Sequence, residues 1–167
     1  IVATVRALKM HGGIAKEALS QENVAALQEG CNNLLRHIEN VKSFGVPVVV
    51  AVNRFITDTD AEVAMIQRIA QVSGVKAVSC THWSDGGAGT EALAEEVVRI
   101  VDSEVADFAP LYADELPIWD KIKTIATKLY RADDIIADQK IRDQIQTLQD
   151  SGYGHFPVCI AKSQYSF

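Results

Sequence analysis

Apolar residues recur along the chain in two rhythms, and their alternation predicts the fold. Val2 to Leu8 is a short apolar, β-branched run stopped by Gly12-Gly13, and it reads as a buried strand. Ser20 suits the N-cap of a helix running to about Ser43, in which Val24, Leu27, Cys31, Leu34, Leu35, Ile38 and Val41 return at three- and four-residue steps. Gly45 ends that helix. Val46 to Val52 is almost wholly β-branched, the pattern of a parallel strand covered on both faces. Thr59 and Glu62 have capping-box spacing. Val63, Ile66, Ile69 and Ala70 form the stripe of the helix that follows, and Gly74 closes it. Val75 to Cys80 predicts a further strand, Asp85 to Gly89 a loop, and Thr90 the cap of a helix reaching about Val105.

Strand, helix, strand, helix, strand, loop, helix is the order of an α/β portion. It implies a parallel sheet with flanking helices, in the three-layer manner of phosphate-loop NTPases and Rossmann-like folds. This portion is expected over residues 1–106. A linker at Asp107 to Pro110 opens a smaller portion, residues 107–167. There Pro117 suits the first turn of a helix facing inward through Ile118, Ile122, Ile125 and Leu129. Ile141, Ile145 and Leu148 mark another helix, ending at Gly152, and Pro157 to Ala161 a last strand, which makes a small mixed α/β appendage. The chain opens without Met inside a strand-like run and closes on Tyr165-Ser166-Phe167 directly after another, as a fragment of a longer polypeptide would.

Composition narrows the function classes. A net charge of -6 with no basic stripe points away from nucleic acid. No apolar run reaches the ~18–20 residues of a bilayer span, so no membrane partner is expected. Cys31, Cys80 and Cys159 are widely spaced, without metal-ligand spacing. They read as reduced thiols in a cytoplasmic protein, and no metal site is predicted. The 167 residues contain no G-x-x-x-x-G-K-[ST], no G-x-G-x-x-G and no serine-hydrolase elbow.

Ligands of open parallel sheets bind beyond the carboxyl ends of the strands, so the candidate chemistry lies there. The three expected ends carry Arg6, Lys9, His11, Gly12 and Gly13; then Asn53, Arg54, Phe55 and Asp58; then Ser79, Cys80, His82, Trp83 and Asp85. Phe55 and Trp83 suit the two sides of a flat heterocycle, or else simply cap the core. Asn53 offers donor and acceptor together to a purine edge, with Ser79 as a second base contact one βα unit later; the alternative is an Asx turn. Gly12-Gly13 lets backbone approach an anion, or forms a plain turn. Lys9 and Arg6 suit a carboxylate or phosphate, unless they are solvated. His11 and His82 are candidates for proton transfer, with no carboxylate partner assignable. Asp133-Asp134 and Glu95-Glu96 read as solvated surface.

Val2-Ala3-Thr4-Val5-Arg6-Ala7-Leu8-Lys9-Met10-His11-Gly12-Gly13 resembles a signature stretch of the formate–tetrahydrofolate ligase family. The resemblance continues through Asn33-Leu34, His37-Ile38-Glu39-Asn40, Phe44 to Phe55, Thr57-Asp58-Thr59, Trp83 to Gly87, Gly152-Tyr153-Gly154 and Pro157 to Ser166. It covers essentially the whole chain, as a stretch from the middle into the later part of the family sequence. It implies an ATP-dependent ligase that joins formate to tetrahydrofolate through formyl phosphate, giving 10-formyltetrahydrofolate. Substrates would be formate, ATP with Mg and tetrahydrofolate; a monovalent cation stays open, and the full-length enzyme would be a homo-oligomer. The pterin would stack between Phe55 and Trp83. Two departures matter. The family's phosphate loop and formyl-phosphate-binding residues belong to an earlier part, so this chain alone is expected to lack activity and its catalytic residues are unassigned. Ile56 stands where a proline is expected. The rival expectations are a non-catalytic folate- or nucleotide-binding module and a structural piece of an oligomer.

Overall fold

The computed structural model describes residues 1–161; the last family-like stretch from Lys162 to Ser166, and the closing Tyr165-Ser166-Phe167, lie outside the described residues. The chain divides into two compact units, Ile1–Phe108 and Ala109–Phe167. In the first, β1 (Val2–Ala3), β2 (Val49–Asn53) and β3 (Lys76–Cys80) pair in parallel in the order β1-β2-β3. Ala3 lies beside Val52 and Asn53 beside Cys80, so the carboxyl ends share one edge. Around the sheet run α1 (Val5–His11), α2 (Val24–Lys42), α3 (Asp60–Val72), the single turn α4 (His82–Asp85) and α5 (Glu91–Ser103). The chain is thus α/β, with a parallel sheet and flanking helices.

The strand expected over Val2 to Leu8 stops at Ala3. Thr4 is extended (φ -126°, ψ 145°) and its hydroxyl accepts the Ala7 N–H at 3.1 Å, which caps a helix. Val5, Leu8 and Lys9 are the buried positions of α1. A run this short fits either period, and the cap decides it. Asn23 instead of Ser20 caps α2, accepting from Ala26 N–H at 2.9 Å. Pairing in β2 begins at Val49, with Val50 and Val52 fully buried and their neighbours half-buried. The Thr59–Glu62 capping box forms with both of its reciprocal hydrogen bonds.

The core joins Val5 and Leu8 to Leu27, Cys31, Leu34 and Ile38 of α2, to Val63, Ile66 and Ala70 of α3, and to Val50 and Val52. Burial pushes the Cys31 thiol up to about 11 and raises that of Cys80 as well. Both therefore pack as small hydrophobes instead of reacting as thiolates. Where α1 crosses α2, the backbones touch. A Cβ on Gly12 would land on the Ala26 carbonyl, and one on Gly30 on the Leu8 carbonyl. Only glycine allows that approach, so Gly12 serves helix packing here.

Lys9 lies inside this unit with no exposed surface, its Nζ 2.8 Å from Glu62 Oε1 and donating to the Gln21 carbonyl at 2.9 Å. Glu62 also accepts the N–H groups of Asn23 at 3.0 Å and Thr59 at 3.1 Å. One buried ion pair thereby fastens α1 to the starts of α2 and α3.

Glu96 corrects the expectation of a solvated Glu95-Glu96 face. It is 3% exposed, 2.7 Å from Lys76 Nζ and 2.8 Å from Arg99 Nη2, and joins α5 to β3. Hydrogen bonds from Arg99 and then Lys76 bring its carboxyl down to about 2. A depressed native pKa gives a contribution present above the unfolded value of ~4.3 and lost as pH falls through the native one. Glu96→Gln should therefore melt below the parent at neutral pH, and the two melting curves should converge as pH approaches 2. Thermal melts across pH 2–7 check this; a gap independent of pH would sink the charge-based account.

The second unit holds α6 (Ile118–Tyr130) and α7 (Gln139–Leu148), followed by a widened turn, Gln149–Tyr153, with Gly152 at φ 89°. Ile118 and Ile125 are buried along α6. Lys121, also fully buried, donates to the carbonyls of Asp114 at 2.6 Å, Gly154 at 2.7 Å and Phe156 at 3.1 Å. The strand expected over Pro157 to Ala161 does not form, so the described part of this unit is helical instead of mixed α/β. Val158 N–H goes to the Tyr112 hydroxyl at 2.9 Å and Pro157 has no N–H to offer, which leaves no ladder to build.

Candidate functional site

The site is built where the three strands of the first unit end. β1 leads into α1, whose second residue is Arg6. β2 leads through Asn53 and Arg54 to Phe55. β3 leads through Thr81 into α4, which carries Trp83. Arg54 N–H donates to the Cys80 carbonyl at 3.0 Å, so the pairing of β2 with β3 extends past Asn53 to the foot of Phe55. The structure therefore brings Arg6, Asn53, Phe55, Ser79 and Trp83 to one sheet edge. It removes Lys9 to the interior and puts His11 at the far, exposed end of α1.

Phe55 is half-buried and held from two directions. Asp58, 5% exposed, accepts the Phe55 N–H through Oδ2 at 2.8 Å. The Arg6 guanidinium lies over the ring, its central carbon 4.9 Å from the centroid, and Arg6 Nη2 donates to Thr57 Oγ1 at 3.4 Å. Arg54 straps the same turn, at 3.3 Å to the Asp58 carbonyl and 2.6 Å to Asp60 Oδ1. Ile56, where proline was expected, is exposed and leaves these contacts in place.

Trp83 is 70% exposed. Its loop is fixed from below: Thr81 N–H donates to the Gly89 carbonyl at 2.9 Å, and a Cβ at Gly89 would strike the Thr81 backbone. Thr81 Oγ1 donates to Asp85 Oδ2 at 2.6 Å. Asp85-Gly86-Gly87 is thus a helical turn and its continuation, instead of the open loop expected, and Thr90 stands at the N-cap of α5 as expected, with its hydroxyl donating to the Gly87 carbonyl at 3.0 Å instead of accepting a helix N–H.

Two acceptors here are buried without a hydrogen-bond partner, Asn53 Oδ1 and Asp58 Oδ1. An unmet buried acceptor costs about 1–3 kcal/mol. Asp58 stands at the strand end the sequence marked, but its role in holding the Phe55 N–H was not legible there, since a short acidic residue after a strand looks like any turn former. Among the described residues no group of three or more His, Cys, Asp or Glu could hold a metal ion, and no helix is long and apolar enough to cross a membrane. The chemistry offered is an exposed indole, a ring braced by a guanidinium, and unmet acceptors at a strand end. These suit a flat, hydrogen-bonding heterocycle.

Comparison with known proteins agrees with the sequence resemblance. The family model described as formate–tetrahydrofolate ligase matches residues 1–167. The formate–tetrahydrofolate ligase of Granulibacter bethesdensis is 58% identical over 167 residues, all of this chain and 29% of that protein. Those of a Ruegeria species and of Cereibacter sphaeroides are each 56% identical over the same length, with 30% of each protein covered. The chain therefore spans about 30% of the length of these curated relatives.

Proposed function

The chain belongs to the formate–tetrahydrofolate ligase family, and from that premise we propose that it supplies the folate-stacking wall of an ATP-dependent ligase. In this reading ATP phosphorylates formate, the amine of tetrahydrofolate attacks the formyl phosphate, and phosphate leaves. Phe55 and Trp83 hold the pterin between them, while Asn53 and Ser79 meet the nucleotide base. The observation that carries the reading is the parallel register of β2 on β3, which sends both aromatics out of the same sheet edge. The phosphate-binding residues come from the remainder of the family polypeptide, in the cytoplasm and in a homo-oligomer.

Stacking predicts a binding result. Phe55→Leu and Trp83→Leu should each weaken tetrahydrofolate binding about tenfold, from ~0.5–1.5 kcal/mol per aromatic contact plus lost ring area. Quenching of indole fluorescence should largely disappear in Trp83→Leu, because in this reading the pterin stacks on that indole. Saturable binding that neither change affects would refute the wall. A second reading, a binding module without chemistry of its own, follows from the missing phosphate-loop sequence. A formyl-transfer assay of the isolated chain with ATP separates the two: turnover excludes the module, binding without turnover favours it.

A further inference from the structure

Resting on the reading of Phe55 as one wall of the pterin site, we propose that Arg6 is a positioning residue that makes this wall selective for the reduced, electron-rich pterin. The guanidinium carbon lies 4.9 Å from the Phe55 ring centre, within cation–π range. The hydrogen bond to Thr57 Oγ1 at 3.4 Å keeps it there. Arg6 follows β1, Trp83 follows β3, and Phe55 follows β2, which lies between them. In this proposal Arg6 covers one face of the Phe55 ring, and the ligand takes the other, toward the strand that leads to Trp83.

A cation on one face of a ring draws π density toward itself and leaves the opposite face poorer in electrons. That face stacks better on an electron-rich partner. The pyrimidinone of a tetrahydropterin carries two amine nitrogens from its saturated ring and is electron-rich. In folic acid those nitrogens belong to an aromatic, electron-poor pyrazine. The Arg6–Phe55 pair therefore favours the tetrahydro form over the oxidised one. Arginine suits the task because its planar fork can stack and donate to Thr57 at once, which an ammonium cannot do.

Calorimetric titration of the 167-residue chain with tetrahydrofolate and with folic acid, without oxygen, tests this in the parent, Arg6→Met, Arg6→Lys and Phe55→Leu. Arg6→Met should weaken tetrahydrofolate about three- to tenfold and shift folic acid less than about twofold, so that selectivity falls. Arg6→Lys should lie between. Arg6 is exposed, so melting temperatures should stay together; this separates the effect from a folding defect. Equal loss for both ligands, no loss, or tighter binding on removing Arg6 overturns the proposal, and the stacking reading survives if Phe55→Leu is still impaired. If Phe55→Leu binds like the parent, or the chain binds neither ligand, the stacking reading falls and takes this one with it.

Discussion

Replacing Lys9 with methionine is expected to lower the stability of the first unit by about 3–5 kcal/mol, because it strands a buried carboxylate. Both side chains are wholly buried. Two such charges are tolerable only as a pair with their remaining hydrogen bonds met. Without Lys9, Glu62 keeps the N–H groups of Asn23 and Thr59 but loses its countercharge. The Gln21 carbonyl loses its donor too. Adding Glu62→Gln should restore part of the loss by removing the charge, though an amide has one acceptor oxygen where the carboxylate uses two. Burial pushes the Glu62 carboxyl up, but the hydrogen bonds from Lys9, Asn23 and Thr59 together hold it below its ordinary value. Its contribution is thus complete above ~4.3 and drains as pH falls through the native value. The gap between parent and Lys9→Met should be widest at neutral pH and narrow in acid. Urea denaturation followed by circular dichroism measures it; a loss below about 1 kcal/mol, the size of a surface pair, would contradict the buried-pair account.

Gly30→Ala should cost about 3 kcal/mol, the upper part of the overpacking range, although alanine is the better helix former by ~1 kcal/mol. The added methyl would overlap the Leu8 carbonyl and crowd the Gly12 nitrogen. All of these are backbone atoms of α1 and its C-cap, so no rotamer can yield, and the helices must separate. The sign is the test. If Gly30→Ala stabilises the chain, the close crossing of α1 on α2 is wrong. A neighbouring control, Asn32→Ala on the exposed face of α2, should change stability by less than about 0.5 kcal/mol.

The separation of α1 from α2 also bears on the site. Arg6 rides on α1, and the Lys9 pair and the Gly30 crossing both fix that helix against its neighbours. A change at either position should therefore loosen the brace behind Phe55 without touching it.

Much of this was legible in the chain alone. The apolar rhythm marked α2, α3 and the approximate extents of β2 and β3, and Thr59 with Glu62 marked the start of α3. Strand ends flagged Asn53, Phe55, Ser79 and Trp83. These signals are local: cap spacing and periodicity are written in residues a few positions apart. The strand expected over Val2 to Leu8 was misread beyond Ala3, because a short apolar run fits both periods until a cap settles it. The missing strand at Pro157 was misread because a strand exists only if another strand pairs with it.

What side chains do was decided by the tertiary structure. From sequence, Lys9 was an anion ligand or a solvated charge, and Glu96 was surface. Folding paired Lys9 with Glu62 in the interior and set the buried Glu96 carboxylate against the exposed Lys76, each partner many positions away. Arg6 on Phe55, and the unmet oxygens of Asn53 and Asp58, likewise arise only where separate strand ends meet. Neighbours along the chain set backbone shape, whereas the surroundings of a charge are set by whatever the fold brings within a few ångströms of it. The elements could therefore be read in advance, and the partners could not.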